Sequence, residues 1–483
     1  MVDPSFCIHG HFYQPPREDP LTGEIPLEPG AAPYRNWNER IHNQCYRPNA
    51  DLGNFEKISF DVGPTLIDWM ISYDPVAFRQ IVEQDHQNVD KYGVGNAMAQ
   101  AYNHTILPLA TLHDKYTQVL WGIADFEYHF GHKPAGMWLP EAAVNNEILE
   151  VIADCGVEYI ILAPWQADVK DLDTSHPYRI DLPSGKRLVV FFYNQDLSTR
   201  ISFDPAATVN ADNFLMEMLL PKFRPSKSIN DEPQLIMIAS DGELYGHHQP
   251  FRDKFLGYLL DGALRGQSIQ ATYPSLWLKD HPVYHLANIR QNTSWSCSHG
   301  VTRWKGMCSC TPHGNWKAPL RYAFDELARA IDGQYLAVIR PYLQDAWQLR
   351  HQYIHVLHGQ VNLSDLVGSL TGKKLEPEEL RKIELLLKAQ FERQRMFTSC
   401  GWFFDDFDRI EPRNNVAYAA QSVWLTYLAT GVNLEFQALA SLKSVKSWRS
   451  GLRADVVFSH HLQRARRTPQ LHQSSAAARN LSS

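Results

Sequence analysis

Gly136-Met137-Trp138-Leu139-Pro140-Glu141 runs from apolar residues into one carboxylate and then into a helix-like segment, and the fold prediction starts from it. Upstream, residues 112–130 have a helical pattern that ends at Gly131. Downstream, Asn145 or Asn146 can cap a helix whose apolar residues share one face. A carboxylate at the carboxyl end of such a strand lies where α/β barrels place catalytic groups. The same carboxylate could instead face the dipole of the helix that it precedes.

The composition is that of a mildly acidic globular protein without a general attraction to nucleic acid. The 483 residues are 44% hydrophobic and 20% charged, with 46 Lys+Arg against 53 Asp+Glu. Aromatic residues make up 12%, and their flat faces stack on sugar rings or fill a large core. The N-terminus lacks a basic region followed by an apolar stretch, and no apolar run is long enough to span a membrane. We therefore expect a cytoplasmic protein with no membrane partner, whose seven cysteines are reduced thiols.

The order strand, polar loop, helix repeats from residue 5 to about residue 277, which predicts a parallel, barrel-like α/β domain with its polar loops at one end. Residues 178–194 have the pattern of a hairpin, which we expect to decorate the barrel rather than to supply one of its strands. We place the catalytic barrel at residues 1–290 and a connector rich in Trp, Cys and Gly, which contributes to the site, at 291–317. A helical domain follows at 318–450, and residues 451–483 are expected to form a disordered basic tail.

Two carboxylates, Glu141 and Asp241, each follow a buried strand and lie far apart in the sequence. Only a fold that gathers its strand ends would bring them together. Such a pair can cleave a glycosidic bond, with retention at a separation of ~5–5.5 Å and inversion at ~6.5–9.5 Å. The sequence leaves this separation open, and both residues could also be ordinary carboxylates at helix starts.

Histidines recur in the loops at the predicted strand ends: His9, His11, His104, His247 and His248. Imidazole can hydrogen-bond to sugar hydroxyls or ligate a metal. A metal-dependent carbohydrate hydrolase or deacetylase that uses His9, His11 and Asp241 as ligands is therefore an alternative hypothesis. The tight ligand spacing of a metal site is missing, so we predict no catalytic metal.

The connector holds five potential zinc ligands: Cys297, His299, Cys308, Cys310 and His313. Their spacings match no zinc-finger or zinc-ribbon pattern, so we predict no structural metal and leave open whether these cysteines bind anything. Trp295, Trp304 and Trp316 in the same stretch suit the wall of a substrate site.

Several segments together resemble glycoside hydrolase family 57, which includes amylases, 4-α-glucanotransferases and branching enzymes. The resemblance rests on His-Gly-His-Phe-Tyr-Gln-Pro at 9–15, Trp-Leu-Pro-Glu at 138–141, Asp-Gly-Glu-Leu-Tyr-Gly-His-His at 241–248 and the Ser-Trp-containing stretch 292–304. Within that family the chain looks most like an uncharacterised-type branch in which three segments occur together: Tyr-Gln-Pro-Pro-Arg-Glu, here at 13–18, a Trp-Asn-Glu-Arg loop, here at 37–40, and a Trp-Ser-Cys-Ser-His-Gly connector, here at 295–300.

The resemblance implies an incomplete (β/α)7 barrel followed by a helical domain, and a retaining hydrolase or transglycosylase that acts on α-linked glucans without a cofactor. It implies Glu141 as the nucleophile and Asp241 as the general acid/base. The same comparison assigns the donor subsite to His9, His11, Gln14, Trp138 and Glu243, to which we add His104, His247, His248, Trp295 and Trp304 as further substrate contacts. Asn96 stands where many members have a glutamate that contacts substrate. A non-catalytic glucan-binding protein is a third hypothesis, and the oligomeric state stays open.

Overall fold

The computed structural model describes residues 3–468. Its strands, in chain order, are β1 (Ser5–Phe12), β2 (Ser59–Val62), β3 (Ala97–Gln100), β4 (Met137–Trp138), β5 (Tyr159–Leu162), β6 (Tyr178–Asp181), β7 (Arg187–Phe192), β8 (Leu235–Asp241) and β9 (Gln270–Ala271).

The chain divides into two compact units that alternate along the sequence. The first comprises Met1–Gln14, Leu27–Tyr102 and Phe126–Ser296, and the second comprises Pro15–Pro26, Asn103–Asp125 and Cys297–Ser483. The sequence predicts one continuous barrel domain up to residue 290, whereas the structure assigns two insertions within that range to the second unit.

The first unit is built on parallel strands. β1 is central and pairs in parallel with β2, β8 and β9, while β2 pairs with β3 and β3 with β4. A single parallel bridge from Gly136 to Tyr159 links β4 to β5, which pairs in parallel with β7. The order β8-β1-β2-β3-β4-β5-β7 therefore gives seven parallel strands, with the two-residue β9 paired to the start of β1 outside this order, and the predicted fold class is confirmed.

The hairpin of residues 178–194 is more than a decoration. β6 and β7 are antiparallel, as a hairpin requires, but β7 also pairs in parallel with β5 from Tyr159↔Val189 to Leu162↔Phe192. The prediction that this hairpin supplies no barrel strand is wrong, because the apolar run of β7 is buried between two neighbours instead of lying at an edge.

The inner side chains of the barrel form one buried cluster. Alternate residues of several strands meet there, since successive strand residues point to opposite faces: Cys7, Met98, Trp138, Tyr159, Ile161, Phe191, Leu235 and Met237.

Helices cover the strands of the first unit: Trp37–Ile41, Arg47–Asp51, Pro64–Tyr73, Pro75–Tyr92, Asn146–Asp154, Gln195–Phe203, Ala211–Asn213, Pro225–Ile229, Arg252–Asp261 and Pro274–Asp280. The helix Asn146–Asp154, which follows Glu141, is capped by Asn145, whose Oδ1 accepts from the Ile148 N–H at 3.1 Å. The helix Leu112–Phe130 is divided between the units at residue 125.

The second unit is helical: Thr302–Lys305, Lys317–Ile339, Ala346–Leu357, Leu363–Thr371, Pro377–Arg395, Cys400–Phe403, Ile410–Thr430, Glu435–Leu442 and Ala454–Arg467. Within it, the Asp114 carboxylate is buried against two guanidinium groups, 3.0 Å from Arg350 and 2.7 Å from Arg393. Within residues 3–468, no helix combines the length and apolarity that a bilayer crossing needs.

The prediction of a disordered tail is wrong for its first part. Residues Ala454–Arg467 form a helix whose Phe458 and Leu462 are buried, and Arg464 pairs with Asp19 at 2.6 Å. Burial of these apolar side chains stabilises the helix despite its basic composition. Residues 469–483, the rest of the predicted tail, lie outside the described residues.

Candidate active site

Polar side chains gather at the carboxyl ends of the central strands of the first unit. In the register of the sheet, His11 of β1 is opposite Asp61 of β2 on one side and opposite Asp241 of β8 on the other. Gln100 at the end of β3 is opposite Trp138 at the end of β4. Glu141 follows three residues later, so the site lies where a parallel α/β sheet presents its ligand groups.

His9 and His11 share Asp61 as a partner. Asp61 is fully buried, with His11 Nδ1 at 2.8 Å from its Oδ2 and His9 Nε2 at 3.2 Å from its Oδ1, and Nδ1 of His9 is 2.9 Å from the Ser59 hydroxyl. Burial lowers the pKa of His9. Burial also opposes charge on His11, but attraction to the surrounding carboxylates raises the pKa of His11 to about 9. The site therefore holds one neutral and one protonated imidazole at neutral pH.

Aromatic rings form one wall of this site. The Trp138 ring stacks on both imidazoles, with centroid distances of 4.8 Å to His9 and 5.1 Å to His11. Trp295 meets Trp138 edge-on at 4.8 Å and His11 at 6.2 Å. The imidazoles and indoles therefore fix one another in orientation.

Glu141 is held in a strained turn. Its φ of 59° and the 45° of Ala142 lie in the left-handed region, which costs non-glycine residues ~1–3 kcal/mol each and is concentrated at functional sites. The turn is fixed because the Trp295 N–H donates to the Glu141 carbonyl at 2.9 Å and Gln166 Nε2 donates to the Ala142 carbonyl at 2.7 Å. On the side chain, Oε2 accepts from Trp295 Nε1 at 3.1 Å and from the Ser296 hydroxyl at 2.6 Å.

Glu141 and Asp241 interact electrostatically but differ in their hydrogen bonds. Burial among protein atoms raises the pKa of Glu141, and the negative charge of Asp241 adds to the rise, while Ser296 and Trp295 oppose it. Burial raises the pKa of Asp241 too, opposed by the positive charge of His11. Although protein surrounds Asp241, its side chain reaches solvent, and it accepts no hydrogen bond from a side chain of residues 3–468.

Glu243 lies beside this pair in a buried hydrogen-bonded chain. Its Oε1 accepts from the Tyr46 hydroxyl at 2.6 Å and from the Tyr13 N–H at 3.1 Å, and Gln14 Nε2 donates to the Tyr46 oxygen at 2.9 Å. Burial raises the pKa of Glu243 to about 7, and the nearby charge of Asp241 contributes.

The two adjacent histidines at the end of the β8 loop have different surroundings. His247 is half-buried, its Nδ1 is 2.7 Å from Gln44 Oε1, and burial lowers the pKa of His247 to about 4. His248 is exposed and interacts electrostatically with Asp241.

Three residues named from the sequence do not join this group in the first unit. His104 and Trp304 belong to the second unit, where His104 Nδ1 is 2.6 Å from the Ser399 hydroxyl and the Trp304 side chain is fully buried. Asn96 precedes β3, at the opposite end from Gln100, and its amide donates to the carbonyls of Phe55 and Ile58. Asn96 is thus a buried structural amide rather than a substrate contact.

The alternative metal site made of His9, His11 and Asp241 is not assembled. Among residues 3–468, ligand atoms close enough to hold one ion occur in other groups and not in this one. His9 and His11 turn toward Asp61 on β2, whereas Asp241 lies on β8.

Sequence reasoning missed three members of the site: Asp61, Tyr46 and Ser296. Asp61 carried a usable signal, because a carboxylate in the middle of a predicted buried strand requires a partner. Ser296 belongs to the Ser-Trp-containing stretch 292–304, but nothing in that stretch indicated a bond to Glu141. Tyr46, at the end of the short helix His42–Tyr46, carried no signal.

Comparison with family models shows to which family the chain belongs. The family model described as glycosyl hydrolase family 57 matches residues 35–289, more than half of the chain, and a model described as a domain of unknown function, DUF3536, matches residues 313–474. The chain belongs to glycosyl hydrolase family 57. The match covers Glu141 and Asp241, so both carboxylates lie within the family 57 region.

Two curated proteins are similar to part of the chain. Alpha-amylase 1 of Dictyoglomus thermophilum is 27% identical over 219 residues, which is 43% of this chain and 29% of that protein. The alpha-amylase of Pyrococcus horikoshii is 22% identical over 214 residues, 43% of this chain and 31% of that protein. The chain spans less than a third of the length of either relative.

Solved structures share the fold over nearly the whole chain. An exo-type maltose-forming amylase from Pyrococcus sp. ST04 superposes with a TM-score of 0.74 at 16% identity, covering 95% of this chain and 88% of that one. A family 57 branching enzyme from Pyrococcus horikoshii gives a TM-score of 0.63 at 14% identity, covering 95% and 97%.

Proposed function

We propose that this family 57 protein is a retaining glycoside hydrolase or transglycosylase that acts on α-linked glucans. The substrate class follows from the amylases and the branching enzyme to which the chain is similar. The observation that carries the proposal is the pairing of two interacting carboxylates with unequal hydrogen bonding: within residues 3–468, Glu141 has two side-chain donors and Asp241 has none.

The unequal hydrogen bonding supports the proposed roles of the two carboxylates. Donors from Trp295 and Ser296 favour the ionised form of Glu141, which a nucleophile needs. Asp241 has no such side-chain donor in the described part of the chain, and burial raises its pKa, as a proton donor needs. Glu243 also has a raised pKa, but it is buried and its Oε1 accepts from Tyr46. Asp241 reaches solvent and is therefore the better proton donor to a bound sugar.

The reaction proceeds by two displacements. Glu141 attacks the anomeric carbon while Asp241 gives its proton to the departing glycosidic oxygen, which leaves a glycosyl ester on Glu141. Asp241 then takes a proton from water or from a sugar hydroxyl, whose oxygen attacks the anomeric carbon and frees Glu141. Hydrolysis and transfer differ only in this acceptor.

The surrounding residues bind and orient the sugar. The protonated His11 offsets part of the charge of the carboxylates, and Trp138 and Trp295 provide the aromatic wall. His9 is fully buried, with Ser59 and Asp61 as its partners, so we assign it a positioning role rather than direct sugar contact. Gln14 likewise acts through Tyr46 and Glu243.

The test is incubation with amylose and maltoheptaose, following product sizes, reducing ends and the configuration of the first-formed anomer by NMR. Glu141→Gln should lower kcat on the order of 10³-fold or more, and Glu158→Gln, an exposed carboxylate just before β5, is the matched control. First-formed products of inverted configuration would refute the nucleophile role of Glu141. Unchanged activity in Glu141→Gln would refute the site.

Asp241→Asn separates the acid from the nucleophile. Activity on maltoheptaose should fall by ~10²–10⁴-fold, because the leaving oxygen loses its proton donor. A glycoside with a strongly acidic leaving group needs no such donor, so formation of its glycosyl-enzyme should be largely retained. An equal loss on both substrates would contradict the acid/base role.

A further inference from the structure

Three thiols and one imidazole converge where the last segment of the second unit begins. We call Cys297, His299, Cys308 and Cys310 the Cys-His cluster; their ligand atoms all lie within 4.8 Å of one another. The cluster falls between the two family-model matches, which end at residue 289 and begin at residue 313. The fifth ligand type in this stretch, His313, is not part of it and stacks on Trp448 at 4.1 Å.

The distances are those of a tetrahedral metal site. Sγ of Cys297 is 3.5 Å from Sγ of Cys308 and 3.7 Å from Sγ of Cys310, and Nδ1 of His299 is 3.3–3.4 Å from two of the sulfurs. A tetrahedral zinc ion with ordinary bond lengths requires edges of ~3.8 Å between sulfurs and ~3.6 Å between sulfur and nitrogen. The sulfurs are also too far apart for a disulfide, whose bond is ~2.0 Å.

The histidine is oriented as a ligand. Its Nδ1 points to the sulfurs, while Nε2 is 3.2 Å from the Ser309 hydroxyl. Metal-binding histidines commonly use the other ring nitrogen for such a hydrogen bond, which fixes the ring and the tautomer.

Short turns present the thiols. The Gly300 N–H donates to the Cys297 carbonyl at 3.0 Å, and the Thr311 N–H donates to the Cys308 carbonyl at 3.0 Å. Gly300 has φ of 71°, a conformation that suits glycine. These tight turns bring the ligands together, although their spacings in the sequence match no zinc-finger or zinc-ribbon pattern.

A buried cation lies beside the cluster without a hydrogen-bonding partner. The Lys317 side chain is fully buried, and its Nζ makes no hydrogen bond within the described part of the chain, residues 3–468. It interacts electrostatically with Cys297 and Cys308. Three thiolates, one neutral imidazole and a divalent cation carry one net negative charge, which would balance this ammonium.

We propose that the Cys-His cluster binds one structural Zn²⁺ ion. The set of three thiolates and one imidazole is typical of closed structural zinc sites, which leave no position open for water or substrate. Because Cys297 directly follows Ser296 in the chain, the ion would fix the start of the segment that connects the last residue of the first unit to the helices of the second.

The test measures metal directly and uses no glucan. The full chain is produced in zinc-supplemented medium, freed of any affinity tag, dialysed against a mild chelator and analysed for metal by mass spectrometry. Wild type should contain one zinc per chain, and Cys155→Ser, which removes a partly buried thiol outside the cluster, should contain the same. Cys308→Ser should lose the zinc.

A second variant and a spectrum cover the case in which Cys308→Ser fails to fold. His299 is exposed, so His299→Ala removes a ligand without opening the core, and it should release zinc at a lower chelator concentration than wild type. Replacing zinc by Co²⁺ should produce the absorption of tetrahedral cobalt with sulfur ligands. Zinc-free wild type that also fails to bind Co²⁺, equal zinc in wild type and His299→Ala, or a Cys297–Cys308 disulfide in the unreduced protein would overturn the proposal.

Discussion

Replacing Ser296 by alanine should move the pH dependence of catalysis. The Ser296 hydroxyl donates to Glu141 Oε2 at 2.6 Å, the shorter of the two side-chain bonds that favour the ionised carboxylate. The Ser296 bond lowers the pKa of Glu141, whereas burial and the charge of Asp241 raise it. Removing this donor therefore raises the pKa of Glu141. The acidic limb of the kcat/KM profile should therefore shift to higher pH.

The size of the shift follows from the hydrogen bond. A bond to a charged group contributes ~1.5–3 kcal/mol, and 1.36 kcal/mol corresponds to about one pKa unit. Glu141 is only partly buried, so water can replace part of the lost bond, and the expected shift is about one pH unit. At pH values on the acidic side of the profile, kcat/KM of Ser296→Ala should be about tenfold lower than that of wild type, while the plateau near neutral pH changes much less.

The assay is kcat/KM on maltoheptaose across the pH range of stability. Ser72→Ala is the control, because the exposed Ser72 hydroxyl donates to the Asp68 carbonyl of its own helix. Trp295→Phe, which removes the longer bond at 3.1 Å and keeps an aromatic ring, should give a smaller shift in the same direction. An acidic limb that stays in place in Ser296→Ala, or one that moves to lower pH, would refute the assignment of Glu141 as the ionised nucleophile.

Two further predictions concern stability. Burial raises the pKa of Glu243 to about 7, so its protonated form contributes to the free energy of unfolding on the order of 3 kcal/mol below about pH 4.5, and this contribution is lost as pH rises to about 7. Glu243→Gln should remove this pH dependence of stability. Equal profiles of Tm against pH for both proteins would contradict the prediction. Asp114→Ala leaves the buried Arg350 and Arg393 without that partner and should cost ~3–5 kcal/mol, seen in thermal unfolding, whereas a Tm within error of wild type would be inconsistent with the buried ion pairs.

The sequence predicted the framework of the site because its signals are local. A buried apolar run followed at once by a carboxylate specifies both the strand and the position of its acidic group, and the structure has Asp241 at the end of β8 and Glu141 three residues beyond β4. His9 and His11, two residues apart on β1, share one face for the same reason.

The partners of these residues depend on register, which the sequence does not state. His11 meets Asp61 because β1 and β2 pair in parallel with these residues opposite, although 50 positions separate them. The sequence named the four residues of the Cys-His cluster as potential ligands but could not show that they converge, because two turns bring the side chains together and ligand spacing alone does not describe turns. The tail helix was missed because basic composition was given more weight than the apolar stripe of Phe458 and Leu462.

During synthesis, β1 is made long before β8, one of the two strands between which it lies. Its partner β8 leaves the ribosome more than 200 residues later, since Ser5 pairs with Leu235. At about 5–20 residues per second, one edge of β1 waits roughly 10–45 s before that partner exists. A nascent chain that stops before β8 therefore lacks both the neighbouring strand and Asp241, and partial products cannot assemble the carboxylate pair. Under the proposed function, activity would appear only after β1 and β8 have paired, so its onset during synthesis would report on the formation of this strand pair.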